Sequence, residues 1–259
     1  DSKPENLQKA IDSYILSGAI KLFRESRSDV KYRHHIMLVH EGAIKAGMAA
    51  LQKQVEEQLD NCDYFGGSGL SRLEKLWNED FQPVSKTRDE DNFSEPSDFD
   101  SLKPFVGTCW QMLYDDEQPV LIINSDKENK EKAPNFELKR VWKILVGGTM
   151  LSRGYTVEGL TISYFRRKAG TADTLMQMGR WFGYRPGYVD LCRLYTTFEL
   201  SEFYSHITIA TEELKRDFDI MADRGMTPHD FGLKVRTHPA GLVITSPNKM
   251  RNGIEMAVS

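Results

Sequence analysis

The stretch Val141–Tyr188, VWKILVGGTMLSRGYTVEGLTISYFRRKAGTADTLMQMGRWFGYRPGY, alternates apolar runs of strand length with glycine-rich turns. Ile144-Leu145-Val146 and Leu160-Thr161-Ile162-Ser163-Tyr164-Phe165 read as buried strands, and Gly147-Gly148 and Arg153-Gly154 mark the breaks between them. A short helix ending in arginine follows. In an open α/β sheet the polar chemistry collects on loops beyond the carboxyl ends of the strands. Arg153 and Arg180 are expected there.

Charge sets this stretch apart. Residues 139–193 hold ten Lys and Arg against three acids, a net +7, whereas the whole chain carries −4. A basic segment inside an acidic chain points to a local anionic partner such as a phosphate or a nucleic acid, with Arg166, Arg167 and Lys168 as the nearest run of cations. The alternative is a solvated face balanced by acids elsewhere.

Outward from this stretch, strands and helices alternate. Pro4 opens a helix to about Arg24, with Leu7, Ile11, Ile15, Ala19 and Leu22 at helical spacing. Ile36–Val39 reads as a strand, Gly42 to Gln58 as an amphipathic helix, Phe105–Leu113 as a helix and Val120–Asn124 as a strand. Residues 60–118 interrupt the pattern as an insertion with a helix over 70–77. The run from Glu79 to Asp100 has eight acids against two bases, and part of it is expected to be mobile and on the surface. Val189–Tyr195 reads as a strand, 200–221 as a long helix closed by Gly225, and 231–235 and 242–245 as short strands in a carboxyl-terminal extension. The fold class expected is α/β: a single domain over 1–259 with a mostly parallel sheet flanked by helices.

Composition bounds the function. The chain has 259 residues, 40% hydrophobic and 28% charged, enough for a sizeable core, and no apolar run reaches the ~18 residues of a membrane span. No membrane partner is expected. Cys62, Cys109 and Cys192 are widely spaced and form no CxxC pair, which argues against a disulfide framework or a zinc site and for a reducing, cytoplasmic setting. The start at Asp1-Ser2-Lys3 reads as a fragment of a longer chain.

Thr149, Arg153 and Gly154 after one strand, then Gly179-Arg180 on a helix, resemble the fifth and sixth motifs of the second, RecA-like motor domain of superfamily-two helicases and translocases. That resemblance implies a P-loop NTPase-like fold. It also implies a nucleotide site shared with an upstream ATPase domain of the same chain, where an arginine reaches the γ-phosphate of ATP with Mg. Charge develops on phosphate oxygens during phosphoryl transfer, and such an arginine is worth roughly 10³ to 10⁵ in rate. By resemblance Arg180 and Arg185 are the candidate catalytic arginines, and Thr149, Arg153, Gly154 and Gln177 the cofactor-contacting set. Met176 stands where that family has Gln or His, and Gly183 where it has its second arginine, so either Arg180 or Arg185 can be the finger.

LSRGYTVEGLT and Arg180-Trp181-Phe182-Gly183-Tyr184-Arg185 are more specifically similar to the Z-one (Z1) domain. This bacterial family is described as an endonuclease and found fused behind a helicase-type ATPase domain. The resemblance runs from the Leu7 helix to Leu233 and implies DNA as partner and a role in bacterial defence or DNA processing.

The sequence contains no G-x-x-x-x-G-K-[ST] loop, so the chain alone is not expected to hold or hydrolyse ATP. Asp115-Asp116-Glu117-Gln118 imitates an acidic magnesium motif but reads as a solvated turn. The endonuclease alternative needs clustered carboxylates and a lysine around Mg²⁺. Glu137-x-Lys139 has that spacing, with Asp98 or Asp126 as partner, though so short a match is weak and no metal ligands are assigned. The six histidines are dispersed and read as core or capping residues. A non-catalytic interaction module is the third reading.

Overall fold

A computed structural model describes residues 4–42, 45–88, 94–124, 126, 129, 133–147, 157–167, 171–179 and 186–227. The chain divides into two compact units, one of residues 1–167 with 181–196 and one of 168–180 with 197–259.

The first unit is built on five strands among the described residues: β1 (His34–His40), β2 (Val120–Ile123), β3 (Val141–Gly147), β4 (Leu160–Phe165) and β5 (Arg193–Thr196). Their spatial order is β2-β3-β1-β4-β5, and all four pairings are parallel. The α/β reading with a parallel sheet therefore holds. β1, β3 and β4 are buried at every position. Such strands read as continuous apolar runs because both faces of a parallel sheet are covered. The strand expected over Val189–Tyr195 begins only at Arg193, since Val189–Leu191 forms a 3₁₀ turn that buries Asp190.

One face of the sheet supplies Met37, Val39, Trp142, Ile144, Val146, Ile162 and Tyr164 to a single apolar cluster with the surrounding helices. These are α1 (Pro4–Arg27), α2 (Lys45–Asp60), α3 (Gly67–Leu76) and α5 (Lys103–Leu113), whereas the short α4 (Gln82–Thr87) buries Ser85 and adds nothing to the cluster. Helix α1 is buried almost all round, and its polar residues Asp12, Ser13, Ser17, Lys21 and Arg24 are buried with it. Each has a partner, as buried polar groups require. Asp12 accepts from Tyr64 Oη at 2.7 Å and Arg72 Nε at 3.0 Å, while Lys21 Nζ donates to Thr161 Oγ1 at 2.7 Å and lies 3.7 Å from the Tyr188 ring centroid.

The acidic run is part surface and part core: Glu79, Lys86, Arg88, Asp98 and Asp100 are exposed, as expected of part of it. From Trp77 to Phe81 the chain continues α3 as a π turn into α4, with Trp77 and Phe81 in the core. Asp80 pairs with Arg193 at 2.9 Å and Glu95 with Arg24 at 2.7 Å. Its apolar residues Phe81 and Phe99, with Trp77 just before it, anchor it to the core, and Asp80 and Glu95 neutralise cations on distant elements. Residues 89–93 lie outside the described residues.

In the second unit, α6 (Ala172–Gly179) and α7 (Phe198–Asp223) pack together, with Tyr204 Oη donating to the Leu175 carbonyl at 3.1 Å. Thr197 caps α7 by accepting from the Leu200 amide, and Gly225 ends it at φ +63°, a left-handed conformation that glycine adopts without strain. The two strands expected over 231–235 and 242–245 lie outside the described residues. No helix among the described residues is long and apolar enough to cross a membrane.

Candidate anion site at the carboxyl edge of the sheet

All five strands being parallel, their carboxyl ends share one edge. The chain leaves β1 toward β2 on one side of the sheet and leaves β4 toward β5 on the other, although β1 and β4 are neighbours. Oppositely directed connections from adjacent strands mark a topological switch point, where open α/β sheets are expected to have their ligand crevice. β1 ends there in His40-Glu41 and β4 in Phe165-Arg166-Arg167. The Arg166 amide donates to the His40 carbonyl at 2.9 Å, so the ladder holds both arginines at the rim.

The two arginines are treated differently. Arg166 Nη1 pairs with Glu41 Oε1 at 2.9 Å, and its guanidinium lies 6.0 Å from the Tyr164 ring centroid. Arg167 is half-buried, and its Nη1 donates to His40 Nε2 at 3.3 Å. No carboxylate among the described residues pairs with Arg167. Burial lowers its guanidinium from the ordinary value, yet arginine keeps its proton in proteins. Among the described residues it is thus a desolvated cation without a counter-ion, which makes it the candidate anion-binding group of this edge.

His40 is itself a consequence of the strand. It is fully buried, and its ring stacks on Phe165 with centroids 5.5 Å apart and planes 8° apart. Burial first, and the Arg167 charge second, lower its pKa to about 4 against an opposing backbone hydrogen bond to Gly147. At neutral pH the ring is therefore uncharged and Nε2 accepts from Arg167. The reading of His40 as a core histidine is right about its burial and incomplete about its neighbour. A histidine closing an apolar parallel strand, at the end where ligands collect, was the available signal.

Of the other candidates, Arg166 and Arg167 are brought together at this edge. Gln177 is exposed on α6, between buried Leu175 and Met178. Thr149, Arg153, Gly154, Lys168, Arg180 and Arg185 lie outside the described residues, as do Trp181, Phe182 and Tyr184.

The metal-dependent alternative is not assembled. Glu137 and Lys139 precede β3, at the amino edge, where Arg33 donates to the Glu137 carbonyl and Lys139 pairs with Asp116 at 3.5 Å. Asp126 follows β2 at the carboxyl edge, so the seven residues of β3, about 20 Å at ~3.3 Å per residue, separate it from Glu137. Asp98 caps a turn, accepting from the Ser101 amide at 2.8 Å. Among the described residues no group of three or more His, Cys, Asp or Glu could hold a metal ion. The Asp115-Asp116 turn is also more than solvated: both carboxylates pair with buried Lys143.

A family model described as Z1 domain matches residues 6–242. No curated protein matches the chain, and no solved structure does.

Proposed function

The chain belongs to the Z1 domain family, and we propose that it is the phosphate-contacting, carboxyl-terminal half of a DNA-dependent ATPase of helicase type. In this reading an upstream domain holds ATP and Mg through its own phosphate-binding loop. This chain completes the site with Arg180 or Arg185 and contacts the DNA backbone through the basic segment that holds Arg166, Arg167 and Lys168, with Arg167, the member of the run that no described carboxylate pairs, as the contacting cation. The observation that carries the reading is Arg167: a half-buried guanidinium at the switch point of a parallel sheet, held by a neutral histidine and matched by no described carboxylate. A structural arginine in that position would be expected to have its acid, as Arg166 has Glu41.

Arginine offers five fixed donors and a permanent charge, suited to phosphate oxygens. It can stabilise charge that develops during phosphoryl transfer, but it cannot hold a triphosphate in place of a glycine-rich loop. The test joins this chain to an upstream ATPase domain and replaces Arg180 and Arg185 by Ala, singly. Turnover of ATP should fall at least tenfold in one of them, about 1.4 kcal/mol of barrier. Unchanged turnover in both removes the shared-site assignment.

A further inference from the structure

At the switch point between β1 and β4 stand adjacent arginines that differ in the charge of the acceptor each has been given. Glu41 is anionic, so its 2.9 Å contact with Arg166 both orients that guanidinium and cancels its charge. His40 Nε2 is a neutral acceptor, so its 3.3 Å contact orients Arg167 without cancelling anything. The imidazole cannot drift, because it is fully buried and stacked on Phe165 within 8° of parallel. One Nη1 hydrogen of Arg167 is used by this contact, and the other donors of the planar fork remain for a ligand.

From this geometry we infer that His40 is the positioning residue that aims Arg167 at a phosphate oxyanion in the crevice, while Glu41 withholds Arg166 from it. The inference rests on the phosphate-contacting reading above and adds a division of labour to it. Arg167 is the cation that meets the ligand. Arg166 is a reserve, available when Glu41 is removed. The basic run Arg166-Arg167-Lys168 is therefore not a uniform patch in which every charge counts equally. The phosphate can be a diester of a nucleic-acid strand or the phosphate of a free nucleotide, since both present the same oxygens to a guanidinium.

The experiment measures binding of the full 259-residue chain to a fluorescent single-stranded oligodeoxynucleotide and, separately, to inorganic pyrophosphate, over a salt series. Thermal midpoints are recorded for every variant. Arg167→Gln should weaken binding about tenfold and lower the salt slope by about one, the signature of a lost phosphate contact. Arg166→Gln should stay within about twofold, because that charge is already matched. His40→Phe keeps a stacked ring and removes the acceptor. It should weaken binding roughly fivefold, and His40→Gln, which restores an acceptor, should return it to within about twofold. Glu41→Gln alters an exposed residue and leaves folding intact, so it reads the site even if a His40 variant does not fold. It should tighten binding by a few-fold as Arg166 is released.

A response confined to the oligonucleotide assigns the ligand as a diester, and one confined to pyrophosphate assigns a nucleotide phosphate. Either supports the inference. Equal losses in Arg166→Gln and Arg167→Gln, or unchanged affinity in Glu41→Gln, overturn the division of labour while leaving phosphate contact intact. Unchanged binding in Arg167→Gln, or no binding by the unmodified chain, overturns both the inference and the reading beneath it.

Discussion

Arg24 and Asp190, 166 positions apart in sequence, form a buried two-point ion pair, with Nη1 to Oδ1 at 3.0 Å and Nη2 to Oδ2 at 2.6 Å. Ser85 Oγ donates to the same Asp190 oxygen at 2.6 Å, and Glu95 meets Arg24 from the acidic run. Burying two charges is costly, and the two-point contact, the Ser85 hydroxyl and Glu95 together offset that cost. The contact ties α1 and α4 to the turn that leads into β5.

Removing one partner exposes that cost. Asp190→Asn leaves the Arg24 guanidinium buried with Glu95 as its remaining acid and should lower unfolding free energy by about 3–5 kcal/mol in urea titrations. The double variant Arg24→Met with Asp190→Leu should lose less than Asp190→Leu alone. Additive losses would show that the two residues do not act as a pair.

Lys143, buried in β3, depends on two half-exposed acids, Asp115 and Asp116. Each of Asp115→Asn and Asp116→Asn should cost about 1 kcal/mol or less, because water and the remaining carboxylate substitute for the lost charge. The double variant should cost more than the sum of the two. A magnesium-dependent change in stability lost with these substitutions would restore the metal reading of this turn.

Gly69 tests close packing within α3. A Cβ placed on it would lie 2.2 Å from the Asp63 carbonyl oxygen and 2.4 Å from that of Cys62, both backbone atoms that cannot rotate away. Gly69→Ala should therefore destabilise the chain, although alanine is favoured over glycine in helices by about 1 kcal/mol. Gly67→Ala, on the same helix with open space around it, is the control and should be neutral or stabilising.

Acid should weaken the fold through its histidines. His40 has a folded pKa near 4 against an ordinary value of 6.5, and burial followed by the Lys21 charge also holds His35 well below that ordinary value. In this window the unfolded chain binds more protons than the folded one, so stability is complete above pH 6.5 and falls as pH drops toward 4. For His40 the loss is on the order of 3 kcal/mol at ~1.4 kcal/mol per pH unit. Asp116 does not contribute there. Burial raises its pKa, but the hydrogen bond and charge of Lys143 outweigh this and hold it below 3.8. Urea midpoints at pH 7, 5.5 and 4.5 should fall less in His40→Gln than in the unmodified chain, and an equal fall would remove His40 from the account.

Strands β1, β3 and β4 were legible in the sequence because a strand buried on both faces must be apolar at consecutive positions. Helices α1, α5 and α7 were legible from helical spacing. The excess of positive charge over 139–193, with Arg166 and Arg167 inside it, was a property of composition, and the resemblance to the Z1 family rested on contiguous residues. What local pattern could not supply was which elements meet. The polar residues Ser13, Ser17, Lys21 and Arg24 recur along α1 as a solvated face would, and only the packing of α1 among the sheet and insertion helices turns them into buried, partnered groups. In the same way, Arg167 meets His40, 127 positions earlier, only because the sheet order places β1 beside β4. Strand order is set by long-range pairing, and the same apolar run fits equally well beside any parallel neighbour. The sequence alone determined that the chain builds a buried parallel sheet and carries its positive charge near that sheet's last strands. The tertiary structure decided which arginine is neutralised, by Glu41, and which is left charged, by His40.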